Sequence, residues 1–183
     1  MQLAQYGSRR TATPRLRAVL ATREAWAYAC QGDARAFQRA VGLAEDHHAE
    51  GLRDGDADTP TVRSLDAAEL AGVIGARYRD LARFDGKHAR AAQRYIGRAL
   101  DSRHPSYARN RAFDLIGLAR THLITREPDR AAELIGEAVP LAGQWVSGRV
   151  GTKLREFHTE SAPFATVPTM REAREAVATL ATT

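Results

Sequence analysis

Arginine dominates the chemistry available to this chain. Lys87 and Lys153 are the only lysines among 27 basic residues, which leaves 25 arginines. A guanidinium stays charged at any physiological pH. Its planar fork of N–H donors matches carboxylate or phosphate oxygens two at a time. Against 22 acidic residues the net charge is +5 and the isoelectric point about 9.9, a balance that suits an anionic partner. A coding sequence rich in G and C would also inflate arginine and alanine, and the basic residues alternate with Asp and Glu instead of forming a long run. The pattern disfavours direct nucleic-acid binding.

Other reactive residues lack the company they would need. His47 and His48 follow Glu45 and Asp46, but adjacent helical residues point about 100° apart and chelate poorly. There is no His-x-x-x-His and no second cysteine, whereas zinc requires three or four ligands; no metal site is expected, and His47 and His48 read as a solvated helix end. Cys30 cannot form an intrachain disulfide, which fits a reducing, cytoplasmic setting. As a nucleophile it would need a base that no local signature supplies. Asp54, Asp56 and Asp58 alternate as in a calcium loop, but the twelfth position counted from Asp54 is Leu65, where a bidentate Glu is required. No phosphate loop, dinucleotide turn or nucleophile elbow occurs. The expectation is a protein that is not an enzyme and uses no cofactor.

The elements that would position these residues are helical throughout. Thr13-Pro14 opens a helix to about Gln31, since proline is at home in the first helical position, and Asp33 caps the next to about Glu50. Residues 51–63 form an acidic Gly/Pro/Asp loop. Ser64 caps a third helix, from Leu65 to Phe84; Asp85-Gly86 turns the chain, and Lys87 to Ser102 is the fourth. In residues 106–142 Leu115, Leu118, Ala119 and His122 form one helical stripe. After the Glu127-Pro128-Asp129 break, Ala131, Ala132, Ile135 and Ala138 form another, with Pro140 kinking or closing that helix. A seventh helix runs from Gly143 to His158. A Thr169/Glu172 capping box opens the last, to Leu180. No 18-residue apolar run supports a membrane span, and residues 1–10 contain no apolar stretch of the signal-peptide kind.

Paired helices recur, with intra-pair turns at Gly32-Asp33, Asp85-Gly86 and Glu127-Pro128-Asp129. A hairpin with stripes too narrow to close a core must stack on its neighbours. The expected fold is therefore all-α, a helical-hairpin solenoid forming one domain. Its parts are an N-terminal segment (1–13), repeats at 14–50, 64–104 and 106–142 with the acidic loop 51–63 between the first two, and a C-terminal capping pair (143–183).

The small–large pattern resembles the tetratricopeptide repeat. The third unit matches at Leu115, Leu118, Ala119, His122, Ala131, Ile135 and Ala138; the first at Ala25, Tyr28, Phe37, Val41 and Ala44, with Glu24 departing; the second at Tyr78, Leu81, Ala82, Ala92, Ile96 and Ala99. Over residues 14–180, and best over 106–180, the chain is similar to the C-terminal repeat region of actinobacterial transcriptional regulators of the XRE helix-turn-helix class. The helix-turn-helix head of that family is absent from these 183 residues. The resemblance implies a cytoplasmic module that senses a ligand, binds a protein or peptide partner such as a DNA-binding regulator, or dimerises. A constitutive scaffold or homodimerisation module with no ligand is the alternative, and an uncapped apolar end near Leu3 and Leu16 would favour it. In such solenoids the first helix of each hairpin lines the concave face. That places Arg23, Trp26, Arg79, Arg83, Asn110 and Arg120 at a groove able to bind an acidic extended segment.

Overall fold

The computed structural model describes residues 12–53, 65–143 and 148–181, and every regular element among them is helical. The α-helices are α1 (Pro14–Gln31), α2 (Ala34–Arg53), α3 (Ala67–Ala82), α4 (Ala89–Ser102), α5 (Ala108–Ile124), α6 (Pro128–Ala142), α7 (Gly148–Glu160) and α8 (Pro168–Ala181), with short 3-10 turns at Gly86–His88 and Ala162–Phe164. No helix among them is long and apolar enough to cross a membrane.

Local chemistry sets the helix ends. The Leu16 N–H donates to Thr13 Oγ1 at 3.4 Å, and the Ala36 N–H donates to Asp33 Oδ1 at 2.9 Å, satisfying donors that a first turn leaves free. At the end of α1, Gly32 adopts φ +73° and its N–H bonds back to the Ala29 carbonyl, a left-handed cap natural to glycine. A Cβ there would also lie 3.0 Å from Phe84 Cδ1. Another residue there would be strained by the φ and would press on the Phe84 ring.

Several boundaries differ from the sequence reading. Helix α2 continues through Arg53, so 51–53 are helical, with Gly51 buried; Asp54, Asp56, Asp58 and Ser64 lie outside the described residues. Asp66 caps α3 instead, accepting from the Glu69 N–H at 2.7 Å. The third turn is made by Arg126, at φ 60°, ahead of Glu127-Pro128. Pro140 sits inside α6, two residues before its end. Gly143 is the C-cap of α6 and not the start of the next helix; residues 144–147 lie outside the described residues, and α7 is described over Gly148–Glu160. Thr169 is not a cap: α8 begins at Pro168, and the Thr169 hydroxyl donates to Asp129 Oδ1 at 2.7 Å. His48 is not solvated either. It is buried, with Nε2 3.1 Å from the Leu65 carbonyl. His122 is half-buried and bonds Glu127 Oε2 at 2.6 Å instead of packing in the core. Leu3 is outside the described residues, and Leu16 is half-buried.

The helices pack as consecutive pairs, α1 on α2, α3 on α4 and α5 on α6. Their first members also touch in series, α1 to α3 to α5 to α7, while α8 packs on α6 and α7. Small residues permit this spacing. Ala18, Ala21, Ala25, Ala29, Ala40 and Ala44 are buried with Phe37 and Ile74 in the N-terminal core; Leu115, Ile135, Phe157 and Met170 anchor the C-terminal one.

At Gly75 helices α3 and α4 approach closely. A Cβ on Gly75 would fall 2.6 Å from Ile96 Cγ1 and 2.9 Å from the Ile96 backbone nitrogen. Gly75→Ala should therefore destabilise by about 1–3 kcal/mol through overpacking, despite alanine's better helix propensity. Gly117 is the control, because its Cβ would meet Arg79 Nη1 at 3.5 Å and Ile96 Cδ1 at 3.6 Å, ordinary contact distances. Urea midpoints read the contrast; equal midpoints for both alanine variants would show that the α3–α4 approach tolerates a side chain.

Candidate functional site

The residues that border the main groove come chiefly from the first helices of the pairs and from α7. On α1 they are Arg23, Trp26 and Cys30; on α3 Gly72, Val73, Ala76 and Asp80, with Arg83 at its C-cap; on α5 Asn110, Phe113, Asp114 and Gly117; on α7 Arg149, Thr152, Lys153 and Glu156. Steps of three and four, with adjacent pairs at 72/73, 113/114 and 152/153, keep each set within one broad face. Together they line a groove of three adjoining lobes of about 960, 460 and 260 Å³. Trp26, Arg77, Arg79 and Lys153 border both larger lobes, and Arg79, Arg83 and Arg120 join the smallest to the largest.

All six residues assigned from sequence border this groove, in two different conditions. Arg23, Trp26 and Arg83 are exposed, Trp26 by 44%. Arg79 and Arg120 are buried, and half-buried Asn110 donates to Glu69 Oε2 at 3.0 Å. Arg120 is fully occupied by α7: Nε and Nη2 reach Glu160 at 2.7 and 2.5 Å, and Nη1 bonds Glu156. Burial opposes its charge, but the Glu160 and Glu156 carboxylates hold its pKa above the ordinary value. That cluster fixes the α5–α7 wall.

Sequence reasoning missed an equally important set at the other end. Arg103 is 8% exposed and reaches from α4 into the groove wall. Its Nε donates to Asp114 Oδ2 at 2.7 Å, Nη1 to Glu69 Oε2 at 3.1 Å and Nη2 to the Ala68 carbonyl at 3.5 Å. Gly72 makes the room, since a Cβ there would lie 2.8 Å from Asp114 Oδ1. One guanidinium serves two carboxylates. Burial pushes Asp114 up to about 6, and Glu69 adds to that while Arg103 offsets it only in part; the same surplus of negative charge raises the pKa of Arg103. Arg77 was missed as well. It stacks over the Trp26 ring at 4.7 Å and donates to Asp80 Oδ2 at 2.9 Å. The 3–4 spacing beginning at Glu69 was the available signal for this face.

Charge in the groove is unbalanced. Nine cationic side chains border it against five carboxylates. Each carboxylate is already held by the wall: Glu69 and Asp114 by Arg103, Asp80 by Arg77 and Arg79, and Glu156 and Glu160 by Arg120. Among the described residues no carboxylate pairs with Arg23, Arg83, Arg149 or Arg155. Apolar surface lies between the charges, at Val73, Ala76, Phe113 and the exposed Trp26, with Phe84 62% exposed at the rim.

A separate recess of about 460 Å³ between α2, α3 and α4 is lined by Leu70, Ile74 and Tyr95. Within it, Tyr95 Oη donates to Glu45 at 2.9 Å. Among the described residues no cluster of three or more His, Cys, Asp or Glu is arranged to hold a metal.

Comparison of the chain with protein-family models, with curated proteins and with solved structures returned no match.

Proposed function

We propose that this chain is a tetratricopeptide-like binding and sensing module of a bacterial transcriptional regulator, and that its α1–α3–α5–α7 groove takes an acidic, extended peptide or protein segment. The observation that carries the binding role is the charge arrangement: every groove carboxylate is held by the wall, while Arg23, Arg83 and Arg149 face the opening with no carboxylate partner among the described residues. Forked donors at the rim and apolar surface between them suit a strand that alternates carboxylates with apolar side chains. The regulatory role draws on the resemblance of residues 106–180. A segment gripped by four successive first helices ties their spacing to occupancy, so binding favours one curvature of the array.

An acetylated, amidated hexapeptide alternating glutamate with leucine is a suitable probe, its termini uncharged so that side-chain carboxylates are what is tested. Calorimetric titration should show binding that weakens from 50 to 200 mM salt. The R23Q/R83Q double variant should lose about 3- to 30-fold in affinity, given roughly 0.3–1 kcal/mol for each exposed charge contact. Equal affinity in that variant would contradict a role for the rim cations.

A further inference from the structure

Three arginines are buried around the groove, and they are not equivalent. Arg103 and Arg120 are 8% and 6% exposed, and in each all three guanidinium nitrogens have acceptors. Arg79 is 8% exposed and differs. Its one hydrogen bond among the described residues runs from Nη2 to Asp80 Oδ1 at 2.9 Å. Asp80 is itself shared with Arg77. Nε and Nη1 of Arg79 have no acceptor among the described residues. These two nitrogens reach solvent instead of being sealed in, so a ligand acceptor needs only a site beside them.

Position supplies one. Arg79 borders all three lobes of the groove. Across from it, Gly117 has no side chain to cover Nη1, where a Cβ would stand 3.5 Å away. The nearby charges are mixed: Arg120 opposes the Arg79 cation, while Asp80 and Glu160 support it. Burial, and next the Arg120 guanidinium, hold the Arg79 pKa below the ordinary arginine value. An oxyanion at Nη1 would take up a free donor and offset the Arg120 repulsion.

We infer that Arg79 is the anion anchor of the groove: its Nη1, beside the glycine at position 117, receives an oxygen of a ligand carboxylate or phosphate, and its Nε–H, which points to the other side of the guanidinium, is free for a second acceptor. The inference rests on the groove being the binding surface and adds which residue bears the central contact. It separates Arg79 from the rim cations Arg23 and Arg83, whose contacts are solvated and weaker, and from Arg120, whose donors are used by the fold.

The test is calorimetry on the full chain at constant ionic strength, with two probes: the capped glutamate–leucine hexapeptide and inorganic phosphate. Arg79→Met should lose about 10- to 100-fold in affinity, the range expected for charge-assisted hydrogen bonds, while R83Q loses less. Arg79→Lys keeps the charge but not the fork and should fall nearly as far; it stands in if the methionine variant does not fold. Without ligand, Arg79→Met should melt somewhat lower than the parent chain, because Asp80 then keeps only Arg77 as its cation. In the parent chain the Arg79 Nε–Hε resonance should move on titration. Tight binding of the peptide alone identifies a carboxylate ligand, and tight binding of phosphate alone a phosphorylated one. Unchanged affinity in both Arg79 variants, alongside a loss in R23Q/R83Q, would overturn the anchor and leave the groove reading standing. Binding of neither probe would overturn both.

Discussion

Arg103→Met should destabilise the chain by about 3–5 kcal/mol near pH 8, the range for breaking a buried ion pair by removing one partner. The reason is specific to this cluster. Arg103 is the direct cation partner of buried Asp114, at 2.7 Å, and it also bonds Glu69. Without it, two carboxylates face each other in the α3–α5 wall. Asp114 → Asn should be far milder, since Arg103 then keeps Glu69. The effect also has a pH signature. Asp114 titrates near 6 in the fold against an ordinary 3.8. Between about pH 4 and 6 the folded chain therefore holds a proton that the unfolded chain has released, and stability falls as pH rises through that window. Two pKa units correspond to a few kcal/mol at most. In Arg103→Met the carboxylate can escape only by protonation, so the penalty should shrink at pH 5. Urea denaturation at pH 5 and pH 8 reads both effects. A loss under about 1 kcal/mol at pH 8, or one independent of pH, would rule out this account of the cluster.

Phe37→Ala should cost a comparable 3–5 kcal/mol. Phe37 is fully buried, and its ring meets Tyr78 edge-on at 4.7 Å, while Tyr78 stacks on Tyr95 at 5.3 Å. The ring therefore joins the first pair of helices to the second. Its neighbours in the N-terminal core are mainly alanines, which have no longer rotamer to swing into the space left behind. The cavity stays open, which places the cost high in the range for such truncations. Phe37→Leu should keep most of the stability. The urea midpoint should fall sharply for alanine and little for leucine; equal midpoints for the two would mean the ring is not the joint between the pairs.

The helices were legible in the sequence because their signals are local. Thr13-Pro14, Gly32 and Asp33 act through bonds within four residues, and the apolar stripe at Leu115, Leu118 and Ala119 is one helix's own periodicity. Long-range partners were hidden. Thr169 has the spacing of a capping box, yet its hydroxyl is drawn to Asp129, 40 residues away. His48 looked like part of a polar helix end but bonds Leu65 across the connection to α3. Arg103 follows a helix terminus and gives no hint of its reach to Glu69 and Asp114. The groove residues fall between these cases. Placing them needed only the idea that first helices share a face. The distinction between an occupied Arg120 and an under-bonded Arg79 depends on α7 lying against α5, which no local pattern encodes.

The central claim is that the α1–α3–α5–α7 face binds an anion-bearing segment. Amide chemical-shift mapping with the capped glutamate–leucine hexapeptide tests it most directly. The account predicts shifts concentrated at Arg23 and Trp26, at Ala76 to Arg83, at Asn110 to Gly117 and at Arg149 to Lys153, with α2, α4 and α6 quiet. Shifts gathered on those second helices instead, or none at saturating peptide, would contradict it.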